Sequence, residues 1–266
     1  MTRFAWLTDI HLNFVDERRL EEFVGQVLDE DPDVVLLGGD IAEARDVASY
    51  LMLLDRKWQR KIYFVLGNHD FYFGSIGEVR LKMTELCTEH SGLCYLTQSP
   101  IVALSERVGL IGHDGWADGR AGDYENSTVM LSDYALIAEL VDVGKQGRWE
   151  LLKEMGDAVA DWVRDTLPGA LESFDHIYFL THVPPLREAC WHEGRMSDDD
   201  WAPHFSSLAV GDALLEIMPD YPEKKLTVLC GHTHGEGEVH PLDNLHIITG
   251  PAEYGEPGIT RVLTVD

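Results

Sequence analysis

Basic residues are scarce in this chain: 21 Lys and Arg stand against 47 Asp and Glu among 266 residues, a formal net charge of −26. Tracking a nucleic-acid backbone requires a stripe of cations that neutralises several phosphates, so charge alone argues against a nucleic-acid polymer or an anionic lipid surface as partner. Long apolar runs are missing too. None approaches the roughly 20 residues that span a bilayer. Met1-Thr2-Arg3 leads straight into Phe4-Ala5-Trp6-Leu7, with no hydrophobic export segment between them. The expectation is a cytoplasmic protein without membrane association. Cysteine is sparse: Cys87, Cys94, Cys190 and Cys230 show no C-x-x-C spacing, and free thiols are expected. Repeats are absent, and the one biased tract, Asp198-Asp199-Asp200, reads as a solvated turn.

What is present is ample core material, 45% hydrophobic and 9% aromatic residues, consistent with a single domain over residues 1–266. Its first third alternates strand and helix. Phe4 to Thr8, Val34 to Leu37 and Ile62 to Leu66 read as strands. Glu17 to Glu30, Arg45 to Trp58 and Ile76 to Glu89 read as helices. In the first helix Leu20, Phe23, Val24, Val27 and Leu28 form one apolar stripe that faces a sheet. Such alternation predicts a parallel sheet. After Gly92 shorter runs, Cys94 to Leu96, Ile101 to Leu104 and Val108 to Ile111, predict adjacent strands of a more antiparallel region. A helix from Trp149 to Leu167 should end at Pro168-Gly169, and Asn126-Ser127-Thr128 reads as a helix N-cap region. Another helix, Ser206 to Met218, lies between strands Ile177 to Thr181 and Leu226 to Cys230. Three short strands close the chain. Loop insertions fall near 113–147 and 186–205, and the first should cover the site.

Five apolar runs stop abruptly at residues able to bind metal: Asp9-Ile10-His11, Gly38-Gly39-Asp40, Gly67-Asn68-His69-Asp70, His182 and Gly231-His232-Thr233-His234. Buried parallel strands read as continuous apolar runs, and open α/β sheets place their chemistry beyond the carboxyl ends of those strands. The five ends can therefore converge. Together they offer a mixed oxygen and imidazole set suited to a pair of divalent transition metals.

In this order, D-x-H, G-G-D, G-N-H-D, a lone His after a strand and G-H-x-H resemble the calcineurin-like metallophosphoesterase superfamily, from Asp9 to His234. The resemblance implies an α/β fold in which two mixed β-sheets pack as a sandwich flanked by α-helices, four layers in all. It implies that Asp9, His11, Asp40 and His234 hold one divalent metal, and that Asp40, Asn68, His182 and His232 hold a second, with Asp40 bridging. Manganese is the first expectation, with iron, zinc or nickel as alternatives. The implied activity is hydrolysis of a small phosphodiester or phosphomonoester by a metal-bridging hydroxide. His69 is implied beside the leaving-group oxygen, oriented by Asp70.

DNA and RNA nucleases of the superfamily share these motifs, and non-catalytic scaffold members exist. The acidic charge speaks against the first reading, and the full ligand set against the second. After Asp40 the chain reads Ile41-Ala42-Glu43-Ala44-Arg45. It thus lacks the Asp-Arg phosphate-binding pair of protein serine/threonine phosphatases and the metal-binding Tyr of purple acid phosphatases. Substrate contacts are expected from His113, Asp114, Trp116 and Arg120 in one loop. The other loop would add Arg187, Trp191, His192 and Arg195. There Arg can grip a phosphate oxygen and Trp can stack on a ring.

Overall fold

Apolar strands and one-sided helices alternate through the first third of the chain: β1 (Thr2–Leu7), α1 (Glu17–Asp29), β2 (Val34–Gly38), α2 (Val47–Trp58), β3 (Lys61–Val65), α3 (Ile76–Glu89) and β4 (Leu93–Tyr95). There follow β5 (Val102–Ala103), β6 (Val108–His113), α4 (Asp133–Leu136), α5 (Lys145–Ser173) and β7 (His176–Thr181). The remainder comprises β8 (Trp191–His192), β9 (Arg195–Met196), α6 (Ala202–Phe205), α7 (Leu208–Ile217), β10 (Lys225–Cys230), β11 (Gly237–Leu242), β12 (Leu245–Thr249) and β13 (Arg261–Val265). The computed structural model describes residues 1–266.

Two mixed sheets result. The first has the order β13-β1-β2-β3-β4, with β1 to β4 parallel and β13 antiparallel at its edge. The second has the order β11-β12-β10-β7-β6-β5, parallel from β12 to β6 and antiparallel at both edges. Alternate residues of each strand face opposite layers. Phe4, Trp6, Leu36 and Val65 of the first sheet meet Leu110, Tyr178, Leu180, Leu229 and Ile248 of the second in the central layer. Ala5, Leu7, Val35, Leu37 and Phe64 pack outward under α1, α2 and α3. Ile177, Phe179, Val228 and Ile247 pack outward under α5 and α7. The helix–sheet–sheet–helix layering is therefore a product of strand alternation on both sheets.

Three expectations need correction. The strands after Gly92 do not form one antiparallel group. β4 pairs parallel with β3 in the first sheet, while β6 pairs parallel with β7 in the second, and only β5 runs antiparallel to β6. Every residue of β6 is buried, which suits an interior strand of a covered parallel sheet. The helix α5 also passes through Pro168 instead of stopping there. Leu167, Ala170 and Leu171 are fully buried against the second sheet, and their burial outweighs the amide that proline lacks. Ser127 caps no helix; its hydroxyl contacts His204 Nε2 at 3.1 Å and donates to the Asp200 carbonyl at 2.8 Å. All four cysteines are free, as expected. No helix is long and apolar enough to cross a membrane.

Because Gly169 sits inside α5 with open space around a would-be Cβ, Gly169→Ala should stabilise the fold by about 0.5–1 kcal/mol. Pro168→Ala should add about 1–3 kcal/mol by restoring the helix amide. Urea unfolding midpoints measure both, and a loss in either variant would contradict the packing described for α5.

Candidate metal centre

Five residues at the carboxyl ends of the strands adopt left-handed backbone conformations: Asp9 (φ 52°), His11 (φ 40°), Asp40 (φ 51°), His232 (φ 70°) and His234 (φ 57°). Residues other than glycine rarely rest there, and such strain gathers at functional sites. Gly39 is also left-handed, at φ 92°, and a Cβ on it would lie 2.6 Å from the Gly67 amide and 2.7 Å from His182 Nδ1. Glycine at 39 thus lets the loop after β2 press against the loop after β3 and against His182.

Two groups of donor atoms meet around Asp40. In one, ligand atoms of Asp9, His11, Asp40 and His234 all lie within 4.8 Å of one another. His11 Nε2 is 3.1 Å from His234 Nε2 and 3.6 Å from Asp40 Oδ2, while His234 Nε2 is 3.4 Å from Asp9 Oδ1. In the other, Asn68 Oδ1 lies 3.1 Å from His182 Nε2 and 2.9 Å from His232 Nδ1, with Asp40 Oδ1 3.4 Å from His182 Nε2. The two oxygens of one carboxylate therefore face the two groups.

The second group is set as acceptors by its surroundings. His182 Nδ1 lies 2.9 Å from the Gly38 carbonyl and His232 Nε2 lies 3.0 Å from the His204 carbonyl. Each of those nitrogens must carry a proton, so in the neutral ring the other nitrogen holds the lone pair and faces Asn68. The Asn68 amide donates to Asp133 Oδ1 at 2.8 Å and to the Tyr72 hydroxyl at 3.3 Å, and Tyr72 donates to the same Asp133 oxygen at 2.6 Å. Asn68 Oδ1 is thereby aimed at the two imidazoles. Two imidazoles and an amide oxygen thus converge beside the Asp40 carboxylate, a mixed nitrogen and oxygen donor set that fits a divalent metal ion.

Charges shift accordingly. Burial works to raise the Asp9 carboxyl, but His182, His234 and His11 outweigh it and hold Asp9 well below the usual carboxylate range. Burial lowers His11 to about 4, against the opposing pull of Asp40 and Asp9, and burial with the neighbouring His182 lowers His232. Burial also opposes the charged forms of His182 and His234, yet Asp9 and Asp40 beside them raise both.

His69 stands over Asp40, its Nε2 4.0 Å from Oδ2. Its ring stacks on Tyr72 at 4.2 Å, and its Nε2 lies 3.4 Å from the Tyr254 hydroxyl. Asp70 is not its partner, contrary to expectation. The buried Asp70 carboxyl accepts the amides of Ile41 (2.9 Å), Ala42 (2.8 Å) and Gly67 (2.9 Å), and so ties the Asp40 loop to the Asn68 loop.

Most of the anticipated substrate contacts go elsewhere. Asp114 is buried and accepts from the Leu66 amide, the Thr97 and Tyr95 hydroxyls and Arg80. Trp116 packs on Phe71 in the core and His113 is buried against Trp162. Arg120 pairs with Asp118 and Asp157, and Arg187 with Asp199. Trp191 Nε1 donates to the Glu188 carbonyl. Arg195 lines a small adjoining groove that shares His192, Trp201 and Phe205 with the cleft. Of that set only His192 lines the cleft over the donor groups, a space of about 260 Å³. Residues the sequence did not flag line it too: Tyr72, Leu131, Asp133, Trp201, Phe205 and Tyr254. Leu131 and Asp133 lie in the 113–147 loop, which covers part of the site as expected.

This fold and donor set define a metal-dependent phosphoesterase. The sequence profile described as calcineurin-like phosphoesterase matches residues 2–236, and the chain belongs to that family, whose members imply two divalent metal ions. Among solved structures the chain is similar to a phosphopantetheinyl hydrolase from Mycobacterium tuberculosis, at 16% identity and TM-score 0.64 over 95% of this chain and 89% of that one. It is also similar to a dimetal phosphatase from Danio rerio, at 14% identity and TM-score 0.57 over 94% and 87% of the two chains. At such identity these likenesses establish the fold. No curated protein sequence matches the chain.

Asp70→Ala should leave three buried amides without acceptors and destabilise the fold by about 3 kcal/mol or more. Unchanged stability with lost turnover, measured by urea unfolding beside activity, would instead restore Asp70 as a partner of His69.

Proposed function

We propose that this chain hydrolyses small phosphoesters with two divalent cations. Asp9, His11, Asp40 and His234 would hold one, and Asp40, Asn68, His182 and His232 the other. The observation that carries this reading is the Asp40 carboxylate, whose Oδ2 faces His11 while its Oδ1 faces His182. A carboxylate can serve two cations at once, whereas an imidazole nitrogen serves one. When bound, the cations supply an activated water as nucleophile and polarise the phosphoryl oxygens. Manganese is the first candidate, and the donor set also accepts iron, zinc or nickel.

The chain's own residues do the rest. His69 would deliver a proton to the departing oxygen, a role supported by its ring lying in the cleft against Tyr72 and Tyr254. Asp133 and Tyr72 fix the Asn68 amide, and the His204 carbonyl fixes the tautomer of His232. A nucleic-acid polymer is a poorer substrate in this reading, because no lysine or arginine lines the cleft and the chain carries a net charge of −26.

Manganese-stimulated turnover of a chromogenic phosphoester, abolished in Asp40→Ala, tests the activity; salt-sensitive DNA binding would favour a nuclease. His69→Ala should cut kcat about 100-fold or more with bound metal unchanged. Parallel loss of metal and turnover in that variant would mark His69 as structural. In Asp133→Ala, metal analysis should fall from two ions per chain toward one, since Asn68 loses its anchor.

A further inference from the structure

We infer that the cleft selects a singly charged phosphodiester over a doubly charged monoester, with a planar substituent resting on Trp201. This rests on the phosphoester-hydrolase reading above and narrows it to a substrate class.

Two observations carry it. The first is charge. No lysine or arginine lines the cleft, whereas the carboxylate of Asp133 does, beside the ligand carboxylate of Asp40. A phosphomonoester carries close to two negative charges at neutral pH and a diester carries one. The cations would meet the phosphoryl oxygens of either ester; beyond them the cleft wall offers the second charge of a monoester no basic side chain, Arg195 lying in the adjoining groove, and sets the buried Asp133 carboxylate nearby. The second observation is shape. Aromatic side chains flank the donor groups on two sides. Tyr254, about half exposed, lies 4.5 Å from the His11 ring and reaches His69 with its hydroxyl. On the other flank Phe205 meets the His232 ring edge-on at 5.3 Å, and Trp201, 44% exposed, stacks on Phe205 at 5.3 Å and 28°. His192, held by the Thr233 carbonyl at 2.9 Å, stands beside them.

A phosphorus atom between these flanks has an apolar surface for a substituent on each side. A monoester fills one; a diester fills both. His69 belongs to the Tyr254 flank, so the departing group lies there and the retained group lies on Trp201. An exposed tryptophan face stacks readily on a planar ring, and stacking of this kind is worth about tenfold or more in affinity.

The full chain loaded with Mn²⁺ is assayed with bis(4-nitrophenyl) phosphate, methyl 4-nitrophenyl phosphate and 4-nitrophenyl phosphate, which share one leaving group. Both diesters should exceed the monoester in kcat/KM, the bis-aryl diester by about tenfold or more. Trp201→Ala should raise KM for the bis-aryl diester about tenfold with kcat within twofold, leave the methyl diester nearly unchanged, and be rescued by Trp201→Phe. Calorimetry reads the same preference as affinity, diphenyl phosphate binding wild type about tenfold more tightly than dimethyl phosphate. That comparison holds even if the Trp201 variants fail to fold. A monoester turned over as well as the diesters overturns the charge argument, and equal effects of Trp201→Ala on both diesters overturn the stacking argument. Absence of turnover with all three substrates removes the hydrolase reading itself, and is thereby distinguished from a wrong substrate class.

Discussion

The site exists only where two sheets end together. Asp9, His11, Asp40 and Asn68 follow strands of the first sheet, while His182, His232 and His234 follow strands of the second. Each donor group draws on both, so the carboxyl ends of β1, β2, β3, β7 and β10 must point the same way and lie level. The apolar layer between the sheets enforces this, with Phe4 meeting Tyr178 edge-on at 5.1 Å. What gathers at that edge is costly to bury: two carboxylates and a cluster of imidazoles, offset only in part by the attraction of Asp9 and Asp40 for His182 and His234. Left-handed backbones at five of these residues add strain on the order of 1–3 kcal/mol each. Hydrophobic packing elsewhere must hold the arrangement against the cost of burying its charges and straining its backbone.

Much of this was legible in the sequence because each strand end carries two signals at once, an apolar run and a break into Asp, Asn, Gly or His. The α1 to α3 helices and the strands between them followed from periodicity. Periodicity could not say which sheet a short strand joins. Leu93–Tyr95 and Val108–His113 look alike as apolar runs, yet one pairs with β3 and the other with β7. Nor could the local rule that proline stops helices see the buried Leu167 and Leu171 that carry α5 onward.

Loops are less legible than strand ends, for a physical reason. By residue type alone a polar loop residue is a candidate substrate contact, but a polar side chain in a folded loop usually satisfies a neighbour first. Asp114 meets four donors, Arg120 two carboxylates, and Arg187 one. Asp133, by contrast, sits in a stretch with no periodic or motif signal, and its role beside Asn68 depends on a contact across 65 residues of chain. Trp201 was visible only as one more aromatic in an irregular segment. Asp70 illustrates the same limit within a motif, since its position beside His69 in sequence does not make it a partner in space.

The shared edge has a consequence for the whole molecule. A cation seated between Asp40 and His182, or between Asp9 and His234, would act as a rivet through both sheets, binding the folded chain and not the unfolded one. Each tenfold of free metal above its dissociation constant would then deepen the folded state by about 1.4 kcal/mol. Metal supply in the cell would govern how much of this protein survives as well as how fast it works.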